Sequence, residues 1–161
     1  MIMGDIRKAV EWAVAIAEDN THGYAQDQRN GPDYDCSSFV STALSKAGFH
    51  ISPYSWTGNM VDQLKADGFY EVPVNGERKA GDIFIHEENH VIMCIDSQHI
   101  VMASINEHGG VRGGQPGDQT GREIYILNFY TPSYGWQYHL RAPDPPQDKP
   151  AVKTLLITWG D

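Results

Sequence analysis

The 161-residue sequence is poor in cysteine and in basic residues, and it has no long hydrophobic run. Its two cysteines, Cys36 and Cys94, are too few for a disulfide framework, so each is expected to be a free thiol. The 12 lysines and arginines are outnumbered by 21 acidic residues, which gives a net charge of −9, and they form no basic cluster. This argues against nucleic-acid binding and against direct attraction to anionic membranes or wall polymers. No apolar segment approaches the roughly 20 residues that a membrane-spanning helix needs.

The first residues lack the features of a secretory leader. Residues 1–19 carry charges throughout and contain neither a long apolar segment nor a small-residue cleavage site. We therefore expect a protein that is made in the cytoplasm without a signal peptide and that inserts into no membrane.

Three segments in the first half of the chain show helical periodicity. Apolar residues recur every three or four positions from Asp5 to Glu18, before a long turn-rich loop from Asp19 to Asp35. The second and third segments, Cys36–Lys46 and Gly58–Ala66, are each followed within two residues by a glycine suited to end a helix. Thr57 is the predicted N-cap of the third helix.

After Gly68 the pattern changes to short segments rich in β-branched and aromatic residues, which turn residues separate. Helices followed by strands predict an α+β domain, with the N-terminal helices packed on an antiparallel sheet of about six strands. The predicted strands are Phe69–Val74, Asp82–Ile85, His90–Asp96, His99–Asn106, Glu123–Tyr130 and Trp136–Arg141.

The composition changes again near the C-terminus. Residues 142–150 contain four prolines, which is typical of a stiff, extended linker. We predict one folded domain over residues 1–141. Residues 142–161 are predicted to be a linker with the start, or the remnant, of a further module.

Cys36 is the first candidate for chemistry because it opens the second predicted helix, directly after Asp35. The first turn of a helix carries unpaired backbone N–H groups and the positive end of the helix dipole. A thiol there is expected to be biased toward the nucleophilic thiolate. The alternative is a small buried hydrophobic residue, the usual role of a free cysteine. Cys94, inside a predicted strand, is assigned that packing role.

A nucleophilic cysteine needs a base, which is normally a histidine. His90 begins a predicted strand just after a turn, so its ring can lie at the sheet edge facing a packed helix. Position within a strand does not by itself separate it from His86, His99 or His139. The seven candidates are His22, His50, His86, His90, His99, His108 and His139.

A metal-dependent alternative uses overlapping residues. The segment from His86 to His90 matches the His-Glu-x-x-His pattern of zinc peptidases, in which the two histidines lie one helical turn apart. Here the motif stands between two strand-like segments, so a turn is predicted, and a third ligand at the family's spacing is missing. We assign no metal site and keep a zinc metallopeptidase as an alternative.

Three motifs, in this order, resemble the NlpC-type and CHAP-type papain-like cysteine hydrolases of peptidoglycan. They are Asp35-Cys36-Ser37-Ser38-Phe39-Val40, Gly81-Asp82-Ile83-Phe84-Ile85 and His90-Val91-Ile92-Met93. Residues 24–36 and 114–121 are also similar to segments of phage endolysin amidase domains. The resemblance covers about residues 6–141, and it implies a papain-like fold for a catalytic domain over residues 1–141.

The resemblance also implies a role for each matching residue. Cys36 would be the nucleophile and His90 the base, and Tyr24 would line the site and donate its hydroxyl to the oxyanion. Asp35 and Ser37 flank the nucleophile and would line the same oxyanion and substrate site.

The third, orienting residue departs from the family pattern. NlpC-type enzymes usually place a polar residue, often histidine, inside the strand after the base strand, and the aligned position here is Met102. Alternation along this strand puts Ser104 and Asn106 on the same face, and Glu107 follows at its end. We favour Asn106 or Glu107 as the third member and keep Ser104 open.

The function implied by the resemblance is a peptidoglycan hydrolase of the phage endolysin type that needs no metal or organic cofactor. It would act on the bacterial cell wall after release from the host cytoplasm, with a separate wall-binding module expected. An N-acetylmuramoyl-L-alanine amidase is favoured over an endopeptidase that cuts the stem peptide or cross-bridge. Three functions of a different kind compete with it: a zinc metallopeptidase using His86, Glu87 and His90, a non-catalytic wall-binding module, and a papain-like transferase.

Overall fold

The computed structural model describes residues 4–145, and its first half is helical, as predicted. The helices are α1 (Ile6–Ala17), α2 (Cys36–Lys46) and α3 (Thr57–Ala66). Helix α1 packs on α2, and both contact the sheet. No helix within residues 4–145 is both long enough and apolar enough to cross a membrane. Most of the predicted linker and further module, from residue 146 onward, lies outside the described residues.

Six strands form one sheet in the order β1–β6–β2–β3–β4–β5, and every neighbouring pair is antiparallel. The predicted fold class, α+β with helices on an antiparallel sheet of about six strands, is confirmed. The strands are β1 (Tyr70–Glu71), β2 (Ile83–His86), β3 (His90–Cys94), β4 (His99–Ala103), β5 (Ile124–Asn128) and β6 (Tyr138–Arg141).

Every strand differs from its predicted bounds, β1 most of all, and the N-cap predicted for α3 was also wrong. Helix α3 begins at Thr57 and its N-cap is Trp56, whose backbone N–H donates to the Asn59 side chain at 2.9 Å. Strand β1 has two residues instead of the predicted six. It lies at the edge of the sheet, where Pro73 has no N–H to continue the ladder.

The sheet is buried on both faces, and successive residues along a strand alternate between them. One face packs under the helices, and the segment 129–136 helps to cover the other. The helix-facing side chains include Ile83, Ile85, Val91, Met93, Val101, Ala103 and Leu140. The opposite face holds Phe84, Ile92, Cys94, Ile100, Met102 and Trp136. Cys94 is fully buried there, which supports the packing role expected for it.

A buried ionic cluster ties the turn before β2 to the last strand of the sheet. The Asp82 carboxylate accepts hydrogen bonds from Arg141 Nε at 2.9 Å and from the Lys79 backbone at 2.9 Å. His139 Nε2 lies 2.6 Å from the same carboxylate, and the His139 Nδ1 lies 2.8 Å from the Pro73 carbonyl oxygen. Asp82 and His139 are almost fully buried, so the cluster joins β1, β2 and β6 inside the protein.

Candidate active site

A groove of about 380 Å³ crosses the N-terminal ends of α2 and β3. Cys36 and His90 both line it, so the fold brings the predicted nucleophile and base to one surface. Tyr24, Asp35 and Ser37 line the same groove, as the resemblance implied for them. The remaining lining residues are Gln26, Trp56, Thr57, Glu88, Asn89, Ser104, Ile105 and Val111.

Asp35 fixes the start of α2 and therefore the direction of Cys36. Its carboxylate accepts the backbone N–H of Ser38 at 2.8 Å, and the Ser38 hydroxyl accepts the backbone N–H of Asp35 at 2.9 Å. This reciprocal capping box leaves the first N–H groups of the helix facing the groove. Within residues 4–145, the backbone N–H of Cys36 donates to no acceptor. It is therefore free to donate to a substrate oxyanion.

The ionisation expected for Cys36 from the sequence was wrong. Burial raises the pKa of the Cys36 thiol to about 12, and the neighbouring Asp35 carboxylate adds to the rise. Backbone N–H groups of Val91 and Ser37, together with the Arg29 charge, act in the opposite direction but do not outweigh these two effects. The helix dipole is too weak to reverse the cost of burying a thiolate, so the resting sulfur is a neutral thiol.

The Asp35→Asn variant is expected to alkylate faster at Cys36 than the parent protein. Asparagine caps a helix about as well as aspartate, but the change removes the negative charge that raises the pKa of Cys36. It also frees the Arg29 charge that Asp35 now pairs. A lower thiol pKa gives more thiolate at a given pH. The rate of iodoacetamide labelling at pH 8, located by peptide mass spectrometry, checks this, with Asp62→Asn as the distant control. An unchanged or slower rate in Asp35→Asn would contradict it.

His90 is oriented by residues on the opposite side of the sheet from the helices. Its Nε2 lies 3.2 Å from the Met102 sulfur, and its ring stacks on Trp136 with the centroids 6.2 Å apart. The Tyr130 hydroxyl lies 3.5 Å from the same sulfur. Burial lowers the pKa of His90 to about 4, so the resting imidazole is neutral. Because a thioether sulfur only accepts hydrogen bonds, this contact favours the tautomer that carries the proton on Nε2 and has Nδ1 as the basic nitrogen.

The structure does not bring Asn106 or Glu107 to His90, contrary to what we favoured from the sequence. Strand β4 ends at Ala103, and the chain then turns into a loop. The Asn106 side chain is used within that loop, accepting from the backbone of His108 and Gly110 and donating to the Arg112 carbonyl.

Among residues 4–145, Glu107 and Ser104 make no hydrogen bond to the His90 ring. One oxygen of the Glu107 carboxylate accepts the backbone N–H of Gln115 at 2.7 Å, and the other is buried with no hydrogen-bond partner in the described part of the chain. Ser104 and Ile105 line both the groove and a second cavity of about 370 Å³, which Glu107 and Arg122 also line. Ser104 and Ile105 therefore connect the groove to this second cavity.

Tyr24 reaches the groove through a loop that two buried carboxylates hold in place. Asp33 accepts the backbone N–H groups of Gly23 and Gly117 at 2.8 and 3.1 Å, and Glu123 accepts that of Tyr24 at 3.0 Å. A Cβ on Gly23 would collide with the Gly117 carbonyl oxygen, so only glycine permits this approach. No local pattern marks Glu123 as a structural residue, because its partner lies 99 positions away.

The Tyr24 hydroxyl is placed to take part in chemistry. The residue is 3% exposed, yet within residues 4–145 its hydroxyl has no hydrogen-bond partner. Burial, and next the proximity of Cys36 and Asp35, raises the pKa of Tyr24, so the hydroxyl keeps its proton. A neutral hydroxyl beside the thiol is a suitable oxyanion donor.

Arg29 is a site residue to which the sequence pattern assigned no role. Its guanidinium pairs with Asp35 at 3.0 Å and donates to the Ser37 hydroxyl at 2.9 Å. It also donates to the backbone carbonyl groups of Tyr54 and Ser55. One side chain thus joins the start of α2 to the segment before α3. The one signal that could have found it is its position as a basic residue in an otherwise acidic and polar loop.

The His-Glu-x-x-His segment forms the predicted turn and not a helix. His86 and His90 are paired across the β2–β3 hairpin, with residues 87–89 between the strands. His86 Nδ1 lies 2.9 Å from the Asn89 amide nitrogen, and its ring packs edge-on against Tyr134. The helical arrangement that the zinc-peptidase mechanism requires is therefore absent from this segment.

Two family models match the sequence. A model described as bacteriophage peptidoglycan hydrolase matches residues 5–112, which is more than half of the chain. A model described as endolysin-like domain matches residues 100–156. The first match includes all three helices, Cys36 and His90. The comparison with curated proteins gives no match.

Among solved structures, the chain is similar to one from the type VI native effector–immunity complex Tae3–Tai3 of Ralstonia pickettii. The two chains share 16% sequence identity, and the alignment covers 86% of this chain and 99% of that chain with a TM-score of 0.48.

Proposed function

The chain belongs to the bacteriophage peptidoglycan hydrolase family, and we propose that this peptidoglycan hydrolase cleaves an amide bond with Cys36 as the nucleophile and His90 as the base. The observation that carries the proposal is that Cys36 and His90 line the same groove. The Cys36 N–H and the Tyr24 hydroxyl, which have no hydrogen-bond partner among the described residues, belong to residues that line the same groove.

The neutral thiol and neutral imidazole define the order of proton transfers. His90 Nδ1 takes the thiol proton as the sulfur attacks the carbonyl carbon, and the negative charge moves to the carbonyl oxygen. The Cys36 N–H and the Tyr24 hydroxyl donate to that oxygen. His90 then gives its proton to the departing amine, which leaves a thioester on Cys36. A water molecule, deprotonated by His90, hydrolyses the thioester and restores the thiol.

The bond between N-acetylmuramic acid and L-alanine is the proposed point of cleavage. The two ends of the groove differ, since one carries the Trp56 ring and the other continues into the cavity lined by Glu107 and Arg122. The bond to be cleaved joins an uncharged sugar to a peptide with charged groups. The sugar matches the end with the Trp56 ring, and the peptide matches the end with the charged residues. Mass spectrometry of digested peptidoglycan tests it, because an amidase frees the amino group of L-alanine. Newly freed amino groups within the stem or cross-bridge would show an endopeptidase instead.

Inhibition separates the thiol mechanism from the zinc alternative. Prolonged treatment with iodoacetamide at pH 9 is expected to abolish hydrolysis, whereas a chelator leaves it unchanged. The reverse result would favour a metallopeptidase that uses His86, Glu87 and His90. Absence of turnover by a correctly folded chain that still binds wall fragments would favour a non-catalytic module.

Met102 is proposed as the residue that positions the base, in place of Asn106 or Glu107. In Met102→Leu, side-chain volume is nearly unchanged, so the fold is expected to lose less than about 1.5 kcal/mol. The variant removes the acceptor of His90 Nε2, and we expect kcat to fall about tenfold with KM unchanged. Met102→Gln supplies an acceptor oxygen at a similar reach and is expected to recover activity. An unchanged kcat in Met102→Leu would refute the positioning role of Met102.

The acidic charge of the chain leads us to propose that wall targeting depends on a separate module. A net charge of −9 gives no attraction to anionic wall polymers. Residues 142–161 would begin the connection to that module. We further propose that the enzyme acts on the bacterial cell wall after release from the host cell.

A further inference from the structure

Two aromatic side chains beside the groove are unusually exposed. Tyr54 is 69% exposed and Trp56 is 57% exposed, the two highest values among the large hydrophobic side chains of residues 4–145. Both belong to the short segment before α3, and Trp56 lines the groove together with Cys36. Large aromatic surfaces left open to water beside a catalytic groove indicate a binding surface.

The segment that carries these rings is held firmly in place. Arg29 donates to the carbonyl oxygens of Tyr54 and Ser55, and Asn30 donates to that of Pro53 at 2.8 Å. The Ser55 hydroxyl donates to the Ser52 carbonyl at 2.6 Å. These contacts fix the backbone from which the two rings project.

The Trp56 ring packs against Gly58, in the first turn of α3. A Cβ at position 58 would collide with Cζ3 of the indole, so the ring rests directly on the glycine. Any larger residue must displace the ring. One side of the indole is thus packed on the helix, while more than half of the residue stays accessible.

The surroundings of the Trp56 ring are largely uncharged. The Arg29 guanidinium is neutralised by Asp35, and its donors are used by the protein. Uncharged Gln26, Thr57 and Asn89 also line the groove, and Glu88 is the one exposed acid among its lining residues. In peptidoglycan, the uncharged rings are the N-acetylated sugars, whose C–H faces pack on aromatic rings and whose amides and hydroxyls pair with such polar groups.

We propose that Tyr54 and Trp56 form a platform for an N-acetylhexosamine ring of the glycan strand. This inference rests on the proposed function, since cleavage next to muramic acid requires a sugar to lie beside Cys36. It assigns the glycan to the Trp56 end of the groove and the stem peptide to the end near Ser104 and Ile105.

Glycan binding is tested on the full chain carrying Cys36→Ser, titrated with peptide-free N-acetylglucosamine oligomers and followed by NMR chemical shifts. Trp56→Ala is expected to weaken binding at least about tenfold, as for other aromatic anchors. Gly58→Ala keeps the indole but displaces it, and is expected to weaken binding similarly. Alanine favours the helix more than glycine does, so Gly58→Ala is not expected to unfold α3. Tyr70→Ala, which removes an exposed tyrosine on β1, is the matched control and should bind as the parent does.

The outcomes separate this inference from the proposed function. If the oligomers do not bind, or bind equally well after Trp56→Ala and Gly58→Ala, the platform is refuted while hydrolysis by Cys36 can still stand. If the two variants instead lose affinity for a free stem peptide, this end of the groove binds peptide and the proposal is wrong. If the glycan binds through Trp56 but digestion frees amino groups within the stem, the platform stands and the muramoyl–alanine assignment fails.

Discussion

Cys36→Ser is expected to lose peptidoglycan hydrolysis by a factor of about 10⁴ or more. The serine hydroxyl is a much weaker nucleophile than the thiol, and the groove offers it only a neutral imidazole as base. The side chain is nearly the same size, and the capping contacts of Asp35 do not involve the sulfur. The fold should therefore be retained, so the loss measures chemistry and not unfolding.

Dye release from labelled peptidoglycan measures the rate, and thermal unfolding of the same preparation checks the fold. Cys94→Ala is the matched control, because Cys94 is a buried thiol on the opposite face of the sheet and its loss should leave the rate per folded molecule unchanged. His90→Gln should lose activity on the scale of the Cys36 variant, since residues that act as a unit are not additive. A folded Cys36→Ser variant that kept more than about 1% of the parent rate would remove Cys36 from the nucleophile's role.

The elements that were predicted best are those fixed by local chemistry. The predicted bounds of α2 are the observed ones, because Asp35 caps its start, an apolar stripe continues to its end and Gly48 follows with φ of 98°. The turn between β2 and β3 was also predicted, since two β-rich segments stand on either side of a short polar segment. In both cases neighbouring residues determine the structure.

The features that were not predicted depend on contacts between distant parts of the chain. The raised thiol pKa comes from packing around Cys36, which helix position alone does not reveal. Arg29 meets Tyr54 and Ser55 only after α2 and α3 have packed. Strand alternation suggested Asn106, but the chain leaves the sheet after Ala103, so the alternation no longer applied.

The candidate site therefore divides into two parts. The helix that begins at Cys36 and the strand that begins at His90 could be predicted from the sequence. The neutral state of both groups and the contact of His90 with Met102 could not, because they arise from burial on the two faces of the sheet. Because the Cys36 thiol and the His90 imidazole are both neutral at rest, the thiol must lose its proton during the attack. Catalysis therefore depends more on the histidine base than it would if the thiolate were already formed.

Asp82→Ala is expected to destabilise the folded protein by about 3–5 kcal/mol. Asp82 is 1% exposed and accepts from Arg141 twice, at 2.9 and 2.8 Å, while His139 Nε2 lies 2.6 Å away. Removing the carboxylate leaves the Arg141 charge and the buried His139 ring without their partner. Urea unfolding should give a lower midpoint with an unchanged slope. Asp96→Ala, which removes an exposed carboxylate from a turn, is the control and should cost about 1 kcal/mol or less.

The pH dependence of this loss gives the sharper test. Burial alone would raise the pKa of Asp82, but the hydrogen bonds from His139, Arg141 and Lys79 outweigh it and hold the pKa below its ordinary value of 3.8. A carboxyl whose pKa is lowered by folding stabilises the protein at pH values above the pKa that it has in the unfolded chain. This stabilisation is lost as the pH falls through the pKa that the carboxyl has in the folded protein. The stability difference between the parent and Asp82→Ala should therefore be largest near neutral pH and shrink below about pH 4. A difference that stayed constant across that range would mean that Asp82 contributes by packing and not by charge.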